Sequence, residues 1–291
     1  MMALRVVVCL KQVLDTQLPF LIGVGNDQLE QDSSVPVYRL DPIDQCGLEA
    51  GMALKKSCSA QISVLTLGPP MAEDVLRYGL GRGADLATHL VCAETESWDV
   101  WSKAEVLGQE ITRQGYGLVL CGGRSTDEGE GILGPLIAEN LGNPQITNAV
   151  DLEIDVVGRM LRAYRQLEHG DREIIECRLP ALVCVSAMVN SSHYVSIQRL
   201  KDTLKNQIVR RQVSMPDTTW HPICQVKEFT LPRLRPRKVP SPSSSLSASS
   251  RMNILMEGPQ RQGKNEAKIF EGSTDEAVKR LVNYLKEQGF I

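Results

Sequence analysis

The sequence has no cysteine pair spaced C-x-x-C and no histidines at metal-ligand spacing, which excludes the common zinc sites and leaves no motif for thiol redox work. It has no basic excess. A net charge of −3 removes the general electrostatic case for nucleic-acid binding, because neutralising phosphates needs a clustered basic surface. Arg233, Arg235, Arg237 and Lys238 do cluster, but Pro232, Pro236 and Pro240 interrupt them, so they read as a solvated or partner-binding linker. There is no apolar run of membrane-spanning length, and the first apolar run, residues 6–10, is too short for a secretory core and lacks a plausible cleavage site. A cytoplasmic location is the expectation. The eight cysteines fit it: Cys9, Cys121 and Cys184 lie inside apolar runs and read as small buried hydrophobes in a reducing compartment.

What is present is an ordinary globular composition, 42% apolar and 23% charged, over 291 residues, enough for a substantial core. Residues 6–10 form a continuous apolar, β-branched run of the kind buried on both faces of a parallel sheet. Asp41-Pro42 offers an N-cap with proline at the first helical position, and Leu48, Met52 and Leu54 give the helix an apolar face. Residues 62–67 repeat the buried-strand signature. Residues 75–80 read as a helix, 89–92 as a strand, 98–114 as a helix, 118–121 as a strand and 132–141 as a helix. Such alternation specifies an α/β fold, a doubly wound, mostly parallel sheet with helices on both faces. Segments 150–154, 160–164, 173–177 and 181–187 extend the sheet as strands, partly in antiparallel pairs.

Ligands in such folds sit beyond the carboxyl ends of the strands, and three ends converge here: Leu10-Lys11, Leu67-Gly68 and Cys121-Gly122. The last opens the stretch Cys121-Gly122-Gly123-Arg124-Ser125-Thr126-Asp127-Glu128-Gly129-Glu130-Gly131-Ile132-Leu133-Gly134-Pro135. Glycines between a buried strand and a helix let backbone N–H groups approach a ligand, and the helix N-terminus favours negative charge. No Lys-Ser/Thr follows them, so this is not a P-loop, and its G-x-G-x-x-G match begins too far past the strand to be the dinucleotide turn. The residues alone fit either a nucleotide site or a plain glycine-rich turn. After residue 216 the composition changes: segment 232–250 holds four prolines and seven serines and reads as an extended arm. Ser273-Thr274-Asp275-Glu276 is a capping box, and Ala277, Val278, Leu281, Val282 and Leu285 form an apolar stripe behind it. The organisation expected is an α/β nucleotide-binding domain over 1–215, an arm over 216–272 and a docking helix over 273–291.

Several segments together resemble the β subunit of electron transfer flavoproteins, including the FixA type. Val8-Cys9-Leu10-Lys11-Gln12-Val13-Leu14-Asp15-Thr16 resembles that family's opening K-Q-V-P-D-T turn, with Leu14 where proline is usual. Asp41-Pro42-Ile43-Asp44-Gln45 resembles N-P-x-D-x. Leu67-Gly68-Pro69-Pro70 and Gly81-Arg82-Gly83-Ala84-Asp85 resemble M-G-P-P and A-x-G-A-D, and the glycine stretch with Gly134-Pro135-Leu136-Ile137-Ala138-Glu139 resembles D-G-D-T-A-Q-V-G-P-x-I-A-E. The resemblance implies an adenine-nucleotide α-hydrolase-like, Rossmann-like form of the fold. It also implies an α-subunit partner with an FAD in the heterodimer, and AMP in this subunit or, in bifurcating members, a second FAD that takes hydride from NADH. Carried over by position, the nucleotide contacts are Cys9, Asp41, Pro42, Ile43, Asp44, Leu67 and the loop from Gly122 to Leu133.

The departures bear on what is bound. Glu130, Gly131 and Ile132 stand where the family usually has amide and hydroxyl residues, and a glutamate beside a phosphate repels it by about 1 kcal/mol at ~4 Å in water. Either backbone N–H groups and Arg124 hold the phosphate, or the site is weakened or lost, leaving a scaffold subunit. The loop by which family members grip dehydrogenases appears as residues 188–194, with Val189 where a leucine anchor is usual and Asn190 beside it, which implies an altered dehydrogenase partner. His193, Glu128 and Glu130 invite a catalytic reading that we decline: a flavin carries the redox chemistry itself, and a histidine with no visible partner in the sequence reads as structural.

Overall fold

The computed structural model describes residues 4–18, 20–22, 29–31, 36–186, 193–216, 246–257 and 273–287. The chain divides into two units, residues 1–230 and 231–291. In the first, strand β1 (Arg5–Cys9) is followed by three short strands, β2 (Gln12–Leu14), β3 (Phe20–Ile22) and β4 (Leu29–Gln31), and by β5 (Tyr38–Leu40). Then come α1 (Pro42–Cys58), β6 (Gln61–Gly68), α2 (Glu73–Arg82), β7 (Leu86–Val91), α3 (Val100–Gln114), β8 (Leu118–Gly122) and α4 (Leu133–Leu141). The run closes with β9 (Gln145–Asp155), β10 (Met160–Gln166), β11 (Arg172–Arg178), β12 (Ala181–Val185), α5 (Ile197–Thr203) and β13 (Val209–Gln212).

The described strands form one nine-stranded sheet in the order β11-β10-β9-β12-β8-β1-β6-β7-β13, with β2-β5 and β3-β4 as separate antiparallel pairs. Every pairing in the large sheet is parallel except β9-β10 and β10-β11. The expected α/β architecture and its antiparallel extension are therefore observed. Period-2 alternation sorts the central strands onto two cores. Val6, Val8, Leu118, Leu120 and Val183 pack with α1 and α2, while Val7, Cys9, Val119, Cys121 and Cys184 pack with α3 and α4. Both faces are covered, which is why these strands read as unbroken apolar runs.

Strand β13 was not expected, because Val-Arg-Arg-Gln has no apolar pattern. Ion pairs hold it. Arg210 on one face meets Glu73 of α2 at 2.6 and 2.9 Å, and Arg211 on the other meets Glu110 of α3 at 3.4 Å. Its neighbour β7 buries His89 completely, with Nε2 donating to the Gly68 carbonyl at 3.2 Å and Nδ1 unpartnered among the described residues.

In the second unit, α6 (Ala248–Glu257) begins after Ser247, whose hydroxyl accepts from the Ser250 N–H at 3.2 Å. The serines at the end of the expected arm thus cap a helix, while residues 217–245 lie outside the described set. The expected terminal helix is present as α7 (Thr274–Glu287). Among the described residues no helix is long and apolar enough to cross a membrane.

Burial holds the His89 pKa below the ordinary 6.5, against weaker opposing contributions from Gly68 and Glu73. Its folded value is below the unfolded one, so the unfolded chain takes up a proton the fold refuses as pH falls below about 6.5. Stability at this site is present above that pH and declines beneath it. Denaturation midpoints between pH 7.5 and 5 should fall further for the native chain than for His89→Gln; equal slopes would contradict this reading.

Candidate functional site

From β1 the chain moves outward through β6 and β7, then returns to place β8 on the other side of β1. The strand order therefore reverses between β1 and β8, and ligands in open α/β sheets bind in the crevice beyond the carboxyl ends at such a point. Helix α1 starts at this crevice and its first turn builds the floor.

Asp41 caps α1, accepting from the Ile43 N–H at 2.8 Å, with Pro42 at the first helical position as expected. Its second oxygen accepts from both the N–H and the hydroxyl of Thr126, at 2.7 and 2.8 Å. One turn on, Asp44 spans the crevice. Its Oδ2 accepts from the Lys11 N–H at 2.7 Å, on the β1 side, and its Oδ1 accepts from the Gly122 N–H at 2.9 Å, on the β8 side. A Cβ at residue 122 would collide with Asp44 Oδ1, so this approach requires glycine. Burial and the nearby Asp41 push the Asp44 pKa up to about 7, against the pull of the two N–H donors. The carboxyl is enclosed by protein, yet the residue as a whole keeps partial solvent exposure.

Lys11 closes the opposite side. Its carbonyl accepts from the Asp41 N–H at 3.0 Å, and its Nζ meets Asp127 at 2.8 Å and Glu128 at 2.9 Å. Lys103 of α3 adds a second contact to Glu128 at 3.0 Å. Burial alone would raise the two carboxyls, but Lys11, joined at Glu128 by Lys103, outweighs it and holds both below their ordinary values. These acids are thus paired within the chain.

The rest of the loop presents backbone. Gly123 donates its N–H to the Val185 carbonyl at 2.8 Å, Ser125 Oγ accepts from the Gly129 N–H at 3.3 Å, and Gly129 and Gly131 adopt positive φ of 68° and 70°. Helix α4 starts after Ile132 with Leu133 and Gly134, and no side chain caps its N-terminus. Arg124 and Glu130 are exposed, and neither has a partner among the described residues. Cys121 and Cys184 are register partners across β8 and β12, and the Cys9 thiol at the end of β1 is hydrogen-bonded to that of Cys121. That bond and burial push the Cys121 pKa well up, and burial first, then Cys9 and Asp44, push Cys184 up to about 12. Leu67 packs against the same core.

The structure therefore brings together Cys9, Asp41 to Asp44 and the loop from Gly122 to Leu133. It gives Asp41 and Asp44 protein donors to satisfy. Val189 and Asn190 lie outside the described residues. His193, read as structural, does have a partner: its Nδ1 lies 3.0 Å from Glu49, a buried acid on α1 that also takes a two-point contact at 2.6 Å from Arg82. Sequence reading missed Lys11 and Lys103 as site residues. A lysine directly after a buried strand was a signal for the first; nothing local marks the second. Among the described residues no cluster of acids, histidines and thiols could hold a metal ion. Two open grooves, about 760 Å³ beside Arg165 and His169 and about 530 Å³ between Trp101 and Asn140, lie away from the crevice and lack its converging loops.

Gly122→Ala should break the Asp44 bridge and destabilise the chain by about 1–3 kcal/mol through forced displacement. Thr126→Val, which keeps the backbone donor, should cost about 1 kcal/mol. Denaturant midpoints check both, and a Gly122→Ala protein as stable as the native chain would contradict the clasp.

Residues 35–212 match the electron transfer flavoprotein domain family. Over nearly its whole length the chain is similar to an electron transfer flavoprotein subunit beta from Thermoanaerobacterium thermosaccharolyticum, 28% identical across 99% of this chain and 100% of the relative. A subunit of the same name from Clostridium acetobutylicum is 30% identical, covering 68% of this chain and 74% of its own. Protein FixA of Azorhizobium caulinodans is 31% identical over 69% and 72% respectively. With the family match spanning more than half of the sequence and two of these relatives named as the beta subunit, the chain belongs to the electron transfer flavoprotein β-subunit family.

Proposed function

We propose that this chain works as the β subunit of a heterodimeric electron transfer flavoprotein and holds an adenine nucleotide, AMP or FAD, beyond the carboxyl ends of β1, β6 and β8. The observation that carries the reading is the clasp of Asp41, Asp44 and Lys11. It binds three loops into one crevice, ties Asp127 and Glu128 to lysines, and leaves glycine backbone and the uncapped start of α4 available to an anion.

In this reading the phosphate is held by N–H groups between residues 123 and 134 other than those that Gly123, Thr126, Glu128 and Gly129 already give to Val185, Asp41, Asp127 and Ser125, with Arg124 as a fork donor free of other partners among the described residues. Asp41 and Asp44 shape the site through its backbone. Cys9 and Leu67 contribute wall. Glu130 is an acid of the loop itself with no ion-pair partner among the described residues, and it opposes an anion there. A flavin in the heterodimer supplies the electron-accepting chemistry, and this chain supplies position and electrostatics. The partner is an electron transfer flavoprotein α subunit. The segment with Val189 and Asn190 would meet a flavin dehydrogenase, and the arm and α7 would hold the α subunit. The bifurcating version, with FAD in this subunit oxidising NADH, uses the same crevice.

Co-purification with the α subunit, denaturation and quantification of released nucleotide tests the proposal. One adenine nucleotide beyond the FAD of the heterodimer is the expected yield: AMP marks a simple carrier and a second FAD the bifurcating version. No nucleotide beyond that single FAD would overturn the site. Glu130→Gln should tighten AMP binding by roughly five-fold, the value of about 1 kcal/mol of relieved repulsion. Unchanged affinity would place the phosphate away from residue 130.

A further inference from the structure

The crevice sorts its ionisable groups into those that hold their protonation state near neutrality and one that does not. Burial would lower the Lys11 pKa, but Glu128 and Asp127 outweigh it and raise it, so Lys11 stays charged. Asp127 and Glu128 are held low and stay ionised, and the thiols of Cys121 and Cys184 are held high and stay neutral. The groups facing Asp44 are Asp41 on its own helix, Lys11 from the turn after β1, and the Cys121 and Cys184 thiols from β8 and β12.

Geometry makes Asp44 responsive. Lys11 spends its ammonium on Asp127 and Glu128, so the carboxyl has backbone donors and, among the described residues, no cation bonded to it. Each of its oxygens accepts one N–H and retains a lone pair for a proton, so protonation need not break the bridge to Lys11 and Gly122. The Gly122 that Asp44 holds directly precedes the proposed phosphate loop. A phosphate bound there adds negative charge to a group already beside a second carboxylate, and like charge favours the neutral acid.

We propose that Asp44 is the proton-accepting group of the crevice: when the phosphate of an adenine nucleotide is seated on the loop, one carboxylate oxygen of Asp44 takes a proton from solvent, so nucleotide binding and proton uptake are one linked event. This rests on the nucleotide reading above. No other bond changes. The consequence is a subunit whose grip on its nucleotide strengthens as pH falls through the neutral range.

The test is calorimetric titration of AMP into the nucleotide-stripped heterodimer in two buffers of different ionisation enthalpy, from pH 6 to 8.5. The expected result is net uptake of roughly half a proton or more per AMP near pH 7.5, shrinking toward pH 6 where Asp44 already carries its proton. Adenosine, lacking phosphate, should bind with little uptake. Asp44→Asn should abolish the buffer dependence at pH 7.5, where the phosphate of AMP, with its second pKa of about 6, is already ionised; if that variant does not fold, the native heterodimer still decides, through a protonated-carboxyl carbonyl band in the AMP-bound minus nucleotide-free infrared spectrum. AMP binding with equal heats in both buffers at pH 7.5 and no such band would overturn the proton linkage while leaving the nucleotide site standing. Failure of the stripped heterodimer to bind AMP would overturn both.

Discussion

The carboxylate of Asp44, bridging the N–H of Lys11 to the N–H of Gly122, is the interaction on which the crevice depends. It joins the two sides of the point where strand order reverses, and it does so from the first turn of α1, where the helix dipole favours negative charge. Asp41 repeats the device one turn earlier by holding Thr126 through two donors. Lys11 completes it, engaged through its N–H, its carbonyl and its ammonium at once. Hydrogen bonds to charged groups are among the stronger ones, and leaving any of these partners unsatisfied costs more than the bond itself contributes.

This arrangement resolves the oddity of an acidic loop at a proposed anion site. Asp127 and Glu128 are matched by Lys11 and Lys103, and the carboxylates of Asp41 and Asp44 are matched by backbone. The exposed ion pairs contribute little to stability, since such pairs are worth at most about 1 kcal/mol. Their role is to fix which way the acids turn. What remains toward a ligand is glycine backbone, the α4 N-terminus and Arg124, with Glu130 as the exception.

The parts of the fold legible in the sequence are those stabilised by burial. Residues of β1, β6 and β8 are covered on both sides, so their runs of valine and leucine identified them and, with the alternating helices, the parallel sheet. The parts that stayed illegible are stabilised by partners distant in sequence. Strand β13 is held by Glu73 and Glu110, more than a hundred and about a hundred residues away, and α6 grows out of a serine-rich stretch that reads as an arm. The site shows the same division. The converging strand ends were visible, as was the glycine loop between β8 and α4. That Asp41 and Asp44 satisfy backbone across the crevice, and that Glu49 anchors His193, required the folded chain.

The most direct test of the Asp44 clasp and its anion site is a crystal structure of the heterodimer carrying its nucleotide. The expected result is a phosphate within hydrogen-bond distance of backbone N–H groups between residues 123 and 134, with Asp41 still on Thr126 and Asp44 still bridging Lys11 and Gly122. A phosphate bound elsewhere, or an Asp44 turned away from Gly122 with the nucleotide in place, would contradict it.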